Sequence, residues 1–201
     1  MIRFWFLTAF FFCLVWSPVM AIDEPPYSVV HADDTLEVRH YEPYLVAETL
    51  VEAPADEAGN QGFRILAGYI FGGNKGAQRI EMTAPVALTP TKIAMTAPVA
   101  QRASAGGYLI QFAMPREWTL ETLPEPSDPR VTLRAIPART IAVIRYSGFW
   151  SQSRYEDHLK TLKEALARRG QTWHGEPVWA RYDPPWKPWF LRRNEIWLKL
   201  D

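Results

Sequence analysis

From Leu36 to Tyr41 apolar and polar residues alternate, as a half-buried strand requires. Leu36, Val38 and His40 fall on one face, Glu37, Arg39 and Tyr41 on the other. Glu42-Pro43 turns the chain, and Tyr44 to Val51 reads as a second strand. A helix starts over Pro54 to Asp56. Phe63, Leu66, Ala67 and Ile70 then recur at helical spacing, and the run Gly72-Gly73-Asn74-Lys75-Gly76 ends it as a glycine C-cap. Strands are expected near Ile80 to Ala84, Ile93 to Val99 and Tyr108 to Met114.

The second half repeats this order. Val131 to Ile136 and Thr140 to Tyr146 read as strands around the turn Pro137-Ala138. A helix is expected from about Ser153 to Arg169, with Tyr155, Leu159, Leu162 and Leu166 as its buried stripe and Gly170 as its stop. Strands near Thr172 to Glu176, Val178 to Tyr182 and Glu195 to Leu200 follow. Leu36, Val38, Arg39, Val46 and Ala47 fall 95 residues before Val131, Leu133, Arg134, Ile141 and Ala142. The pattern predicts an α+β fold: a duplicated ββαββ unit forming a curved, mostly antiparallel sheet or distorted barrel, with two helices packed on it. Such a sheet is expected to leave a ligand cleft along its pseudo-twofold axis.

Met82-Thr83-Ala84-Pro85-Val86-Ala87 recurs letter for letter as Met95-Thr96-Ala97-Pro98-Val99-Ala100. Two copies thirteen positions apart are too few and too close for a solenoid. They read as two strand ends side by side at a sheet rim, each stopped by its proline, and so as a structural corner or the wall of a ligand pocket.

The first residues read as an export signal. Arg3 precedes an almost unbroken apolar run from Phe4 to Trp16. Ser17-Pro18 breaks it, and Val19-Met20-Ala21 suits cleavage. The run is shorter than the ~20 apolar residues a spanning helix needs; an uncleaved N-terminal membrane anchor is the alternative. Residues 1–21 are therefore expected to be a signal peptide and 22–201 one domain, periplasmic or secreted, with no membrane contact once the signal is gone. The only cysteine, Cys13, lies in the signal, so the mature chain has no disulfide, thiolate metal site or cysteine nucleophile. Twenty-two basic residues balance twenty-two acidic ones, with no basic block, which argues against nucleic acid as a partner.

At this point the chain resembles the SOUL haem-binding protein family. The resemblance rests on Tyr27, on Leu36 to Pro43 running into Ala47-Glu48-Thr49, and on Phe63 and Leu66 before Tyr69-Ile70-Phe71-Gly72-Gly73-Asn74. It extends through both Met-Thr-Ala-Pro-Val copies, Phe112-Ala113-Met114-Pro115, Leu123-Pro124-Glu125-Pro126 and Ser147-Gly148. Pro184-Pro185-Trp186 and Arg193-Asn194-Glu195-Ile196-Trp197 close it. It implies a distorted β-barrel with two long helices and binding of haem or another tetrapyrrole, which is the partner expected here.

Two versions of that binding follow: an apolar groove alone, or a groove with an axial ligand. His40 is the candidate metal ligand, since the resemblance places a proposed axial histidine in this segment and strand alternation puts it on the apolar face. The bland reading is a histidine bonded to a neighbouring strand. Leu36 and Val38 would line the site with it, Arg39, Arg64 or Lys75 would meet propionates, and Met82, Met95 or Met114 are thioether candidates. Methionine is more often core filler and long basic side chains are more often simply solvated. His31, His158 and His174 read as loop, solvated or turn residues. The aromatic segment Pro184 to Phe190 reads either as a lid on a porphyrin face or as a proline-stiffened loop packed over the last strand.

No GxSxG elbow, HExxH pair, CxxC or dinucleotide fingerprint is present, and no carboxylate pair stands out, so a binding protein is expected rather than an enzyme. The alternatives are an effector-binding module for another flat amphipathic molecule and a cofactor-independent enzyme acting on a tetrapyrrole.

Overall fold

The computed structural model describes residues 23–91, 107–184 and 186–201, with all their side chains except those of 55, 56 and 91. Their elements in chain order are β1 (Tyr27–Ala32), β2 (Glu37–Tyr41), β3 (Tyr44–Val51), α1 (Ala55–Ile70), β4 (Val86–Thr91) and β5 (Gly107–Ala113). After them come β6 (Thr132–Ile136), β7 (Arg139–Tyr146), α2 (Gln152–Arg168), β8 (Trp173–Arg181), a 3₁₀ turn (Trp189–Leu191) and β9 (Asn194–Leu200). One antiparallel sheet holds them in the order β1-β2-β7-β9-β8-β4-β5-β3-β6.

The duplication is written in that order. Exchanging β2, β3, β4 and β5 for β6, β7, β8 and β9 reverses the sequence of strands from β2 to β6, so a pseudo-twofold axis runs between β8 and β4. The equivalent strands β2 and β6, and β3 and β7, begin and end 95 residues apart. β1 has no counterpart. It adds to the edge beside β2, and all six of its residues are exposed, which is why no alternation marked it in the sequence.

The turn at Glu42-Pro43 does not make a hairpin. β2 pairs with β7 and β3 with β6, so this two-residue link joins strands near opposite ends of the sheet. Three Cα steps span at most ~11 Å, which forces the two ends together and curls the sheet into a half-barrel. Pro137-Ala138 does the same for β6 and β7. Arg139 donates to the Tyr44 hydroxyl where the ends meet.

Both helices cover one face. Leu66 and Ile70 of α1, and Leu162 and Leu166 of α2, are fully buried against Ile110, Ala142, Ile196 and Leu198. Ser151 caps α2, its hydroxyl accepting from the Arg154 N–H at 3.4 Å. Phe63, expected on the buried stripe, stays 39 % exposed and touches Phe112 edge-on. The face turned away from the helices carries a smaller cluster of Tyr41, Ile141, Val143, Ala180, Tyr182 and Trp197.

Three expectations change. Ile80 to Ala84 is not a strand. Thr83 instead donates to the Ala113 carbonyl, Ala84 donates to the Asp23 carbonyl at 3.0 Å, and Ala84–Pro85 is cis. Pro85 therefore precedes β4 and does not end a strand; the first residue of a strand tolerates a missing N–H. The second copy of the sextet, Met95 included, lies outside the described residues, as does the expected strand Ile93 to Val99. The two strands expected over Thr172 to Tyr182 are one, β8, whose register shifts between His174 and Val178, with Gly175 at φ +78°.

Candidate functional site

The residues proposed from β2 separate. Leu36 and Val38 lie in the main core and offer no surface to a ligand. His40, on the same face at the strand's end, is exposed, with Nδ1 3.3 Å from the Thr140 hydroxyl. Arg39 points the other way and is 2 % exposed. Met82 is exposed, and Met114 is core. Among the described residues no group of three or more His, Cys, Asp or Glu side chains is placed to hold a metal ion.

Arg39 belongs to a buried polar cluster. Its Nη1 and Nη2 donate to the Glu195 carboxylate at 3.0 and 3.1 Å, and its Nε donates to Glu37 at 2.7 Å. Glu195 also accepts from Tyr182 at 2.7 Å, Trp197 at 2.8 Å and Arg193 at 2.8 Å. Burial pushes the Glu195 carboxyl up, but the hydrogen bonds and charge of Arg39, with the charge of Arg193, outweigh it and hold the group below the usual carboxylate range. Burial likewise keeps the Tyr182 phenol well above its ordinary value. This cluster is mutually satisfied, so it ties β2 and β9 to the segment that follows β8, and its guanidinium groups are already paired with carboxylates.

Among the described residues, aromatic side chains pack at the pseudo-twofold axis where the cleft was expected. Tyr155 packs on Trp179 with ring centroids 3.9 Å apart, and Trp150 meets Trp179 edge-on at 5.3 Å. The Arg181 guanidinium lies 3.9 Å over the Trp150 ring. Aromatic side chains at the seam between the helices fill the space that the duplicated plan alone would leave. Nε and Nη2 of Arg181 find no hydrogen-bond partner among the described residues, and desolvation pulls that guanidinium down to about 10.

A concave surface lies beside α1. A groove of about 690 Å³, within the range of small-molecule sites, is lined by Gln61, Arg64, Ile65, Gly68, Tyr69, Gly73, Ser127, Asp128 and Arg130. Gln61, Arg64, Ile65 and Gly68 follow one another at three- and four-residue steps, so they share one helix face. A Cβ on Gly68 would meet nothing within 4 Å. Gly73 differs: its Cβ would sit 2.6 Å from the Gly68 carbonyl oxygen, so only glycine lets the chain fold back against the helix end.

The opposite wall is zipped to the helix by backbone. The Tyr69 hydroxyl donates to the Pro124 carbonyl at 2.8 Å, Lys75 N–H to Glu125 at 2.8 Å and Ser127 N–H to Gly73 at 3.1 Å. Buried Asn74 donates to the carbonyls of Tyr69 and Gln78 at 2.9 and 2.8 Å. The segments Tyr69 to Asn74 and Leu123 to Pro126, conspicuous in the sequence, are thus the frame of this groove. Of the three basic candidates named above, Arg64 lines it, exposed and without an ion pair among the described residues. Lys75 is paired with Glu125 at 2.6 Å. Arg130, unnoticed in the sequence, lines it too, in a two-pronged pair with Asp128, whose carboxyl the Arg130 hydrogen bonds hold down to about 2. No histidine lines the groove.

The architecture is that of a duplicated α+β half-barrel also seen in solved bacterial proteins. It resembles the EcmrR C-terminal domain (TM-score 0.61, 12 % identity, 87 % of this chain and 98 % of that one). An uncharacterized conserved protein from Listeria innocua gives TM-score 0.62 at 10 % identity, covering 83 % of this chain and 92 % of that one. These likenesses concern the fold alone. The chain belongs to the SOUL heme-binding protein family, which matches residues 22–199. Among curated relatives it is 30 % identical over 185 residues to Heme-binding protein 2 of Mus musculus, covering 91 % of this chain and 83 % of the relative. It is 28 % identical over 152 residues to Heme-binding protein 1 of the same species, covering 74 % of this chain and 75 % of the relative.

Proposed function

We propose that this protein binds haem or a closely related tetrapyrrole in the groove beside α1, as a carrier or buffer and not as an enzyme. The observation that carries the reading is the groove itself: Ile65 and two glycines give a flat apolar approach, with Arg64 and Arg130 beside it. Membership of the SOUL family and the names of the curated relatives support the ligand class. Planar apolar surface suits the macrocycle, and guanidinium forks suit carboxylates. Burying a few hundred Å² of macrocycle gives on the order of 10 kcal/mol gross. Association costs take back about half or more, which leaves about 5 kcal/mol or less, a Kd of roughly 0.2 mM or weaker without an iron–protein bond. The apolar run from Phe4 to Trp16 supports export, to the periplasm or outside the cell.

Haemin titration followed at the Soret band tests this, with metal-free protoporphyrin as competitor. Groove binding predicts similar affinity for both and an unaltered haem spectrum in His40→Ala. A strong preference for haemin that His40→Ala abolishes assigns iron ligation to His40. No saturable binding of either porphyrin sinks the proposal, and product accumulating with time would make the protein an enzyme.

A further inference from the structure

Among the described residues, the loop joining β8 to β9 holds several of the most exposed large apolar side chains. Trp186 is 83 % exposed, and Trp189, Phe190 and Leu191 are about half exposed or more. Phe149 joins them from the segment before α2, stacked on Trp189 at 5.1 Å and 10°. The patch does not line the groove. A contiguous exposed apolar patch of this kind marks an interaction surface.

The patch is held in place. Gly148 N–H donates to the Trp189 carbonyl at 2.9 Å, and Trp189 meets Phe190 edge-on at 5.3 Å. Asp183 closes the base of the loop, accepting from Lys187 at 2.5 Å and from the Arg193 N–H at 2.6 Å. Phe149, Trp189 and Phe190 are therefore packed on one another at the tip. Between residues 183 and 193 the chain has three basic residues and one acidic residue.

The start of the domain lies at the same corner. Glu24 accepts from Arg193 Nη1 at 2.7 Å, so the segment preceding residue 24, with its apolar run from Phe4 to Trp16, joins the domain beside the root of this loop. No helix among the described residues is long and apolar enough to cross a membrane. Tryptophan and phenylalanine with neighbouring Lys and Arg are the residues that settle at the headgroup boundary of a bilayer.

We propose that the 186–191 tip, with Phe149, is a membrane-interface contact that seats the domain on a phospholipid surface at the corner where its N-terminal segment joins. Every strand, helix and core cluster of the described residues lies between Tyr27 and Leu200, so a chain beginning at residue 22 retains this fold and removes the apolar run as a confounder.

The test is flotation of that chain with vesicles of phosphatidylcholine and phosphatidylglycerol in equal parts. The wild type is expected to float, and Trp186→Ala/Phe190→Ala to lose partitioning about tenfold or more with its melting temperature unchanged. Should the double variant fold poorly, Trp186→Ser alone replaces it. A wild type that stays in solution, or a variant that floats equally well, overturns the proposal. So does a self-associated wild type that the variant makes monomeric while neither floats, which assigns the patch to a second copy. Weakened haemin binding with unchanged flotation overturns it in favour of a lid.

Discussion

Gly68→Trp separates the groove from every other surface of the molecule. Gly68 sits on the exposed face of α1 with open space where its side chain would begin, so an indole there projects into the groove without displacing core atoms. Glycine in a helix interior costs ~1 kcal/mol relative to alanine and tryptophan up to ~0.7. The substitution should thus stabilise α1 by about 0.3–0.5 kcal/mol, or roughly 1–2 °C in Tm for a domain of this size. Binding moves the other way. An indole covers ~150–250 Å²; removing about 200 Å² of macrocycle contact at ~25 cal/mol per Å² forfeits ~5 kcal/mol. Each ~1.4 kcal/mol is tenfold in Kd, and even after local rearrangement recovers half of it, haemin affinity should fall by about 100-fold. Thermal melting and Soret titration on the same sample read the two effects. Haemin Kd unchanged to within about threefold, in a protein that melts at or above the wild-type temperature, would place the ligand elsewhere and refute the assignment of the groove.

Two further substitutions probe the frame. Gly62→Ala and Gly68→Ala change the same residue type in the same helix with opposite signs. A Cβ on Gly62 would lie 2.6 Å from Ile110 Cγ1, so overpacking of ~1–3 kcal/mol outweighs the helix gain, whereas Gly68→Ala should raise stability by up to ~1 kcal/mol; chemical denaturation of both variants decides it. Glu195→Gln leaves Arg39 and Arg193 without their shared counter-charge and should cost about 3–5 kcal/mol at neutral pH, roughly 6–20 °C in Tm. The pH dependence follows from the depressed carboxyl: the unfolded chain takes up the proton first, so the stability this group gives is complete above the ordinary glutamate value of 4.5 and is lost as pH falls through the lower folded value. Melting curves of wild type should fall below that pH, and those of Glu195→Gln should be flatter there; parallel curves would show that this carboxylate is not the group that titrates.

Much of the fold was legible along the chain. Alternation over Leu36 to Tyr41 and Tyr44 to Val51, helical spacing over Leu66 to Ile70 and Leu162 to Leu166, and the 95-residue offset yielded the elements and their doubling. β1 was not, because a strand with both faces exposed carries no period. The candidate groove was half legible: Arg64 and the segments Tyr69 to Asn74 and Leu123 to Pro126 were noticed, but nothing local says that they form two walls of one groove. The expected axial cleft failed for a similar reason, since Trp150, Tyr155 and Trp179 fill the axis from elements that look unrelated in sequence.

The order of apolar and polar residues determined what each segment would become, because a strand's period of two and a helix's of 3.6 follow from backbone geometry within a few residues. The fate of individual side chains did not follow from it. Arg39 looked available to a ligand until the sheet brought Glu195, 156 residues away, against it. Burial and pairing are settled by long-range strand order. Here a two-residue link between opposite ends of a sheet imposes that order, and no local pattern encodes it.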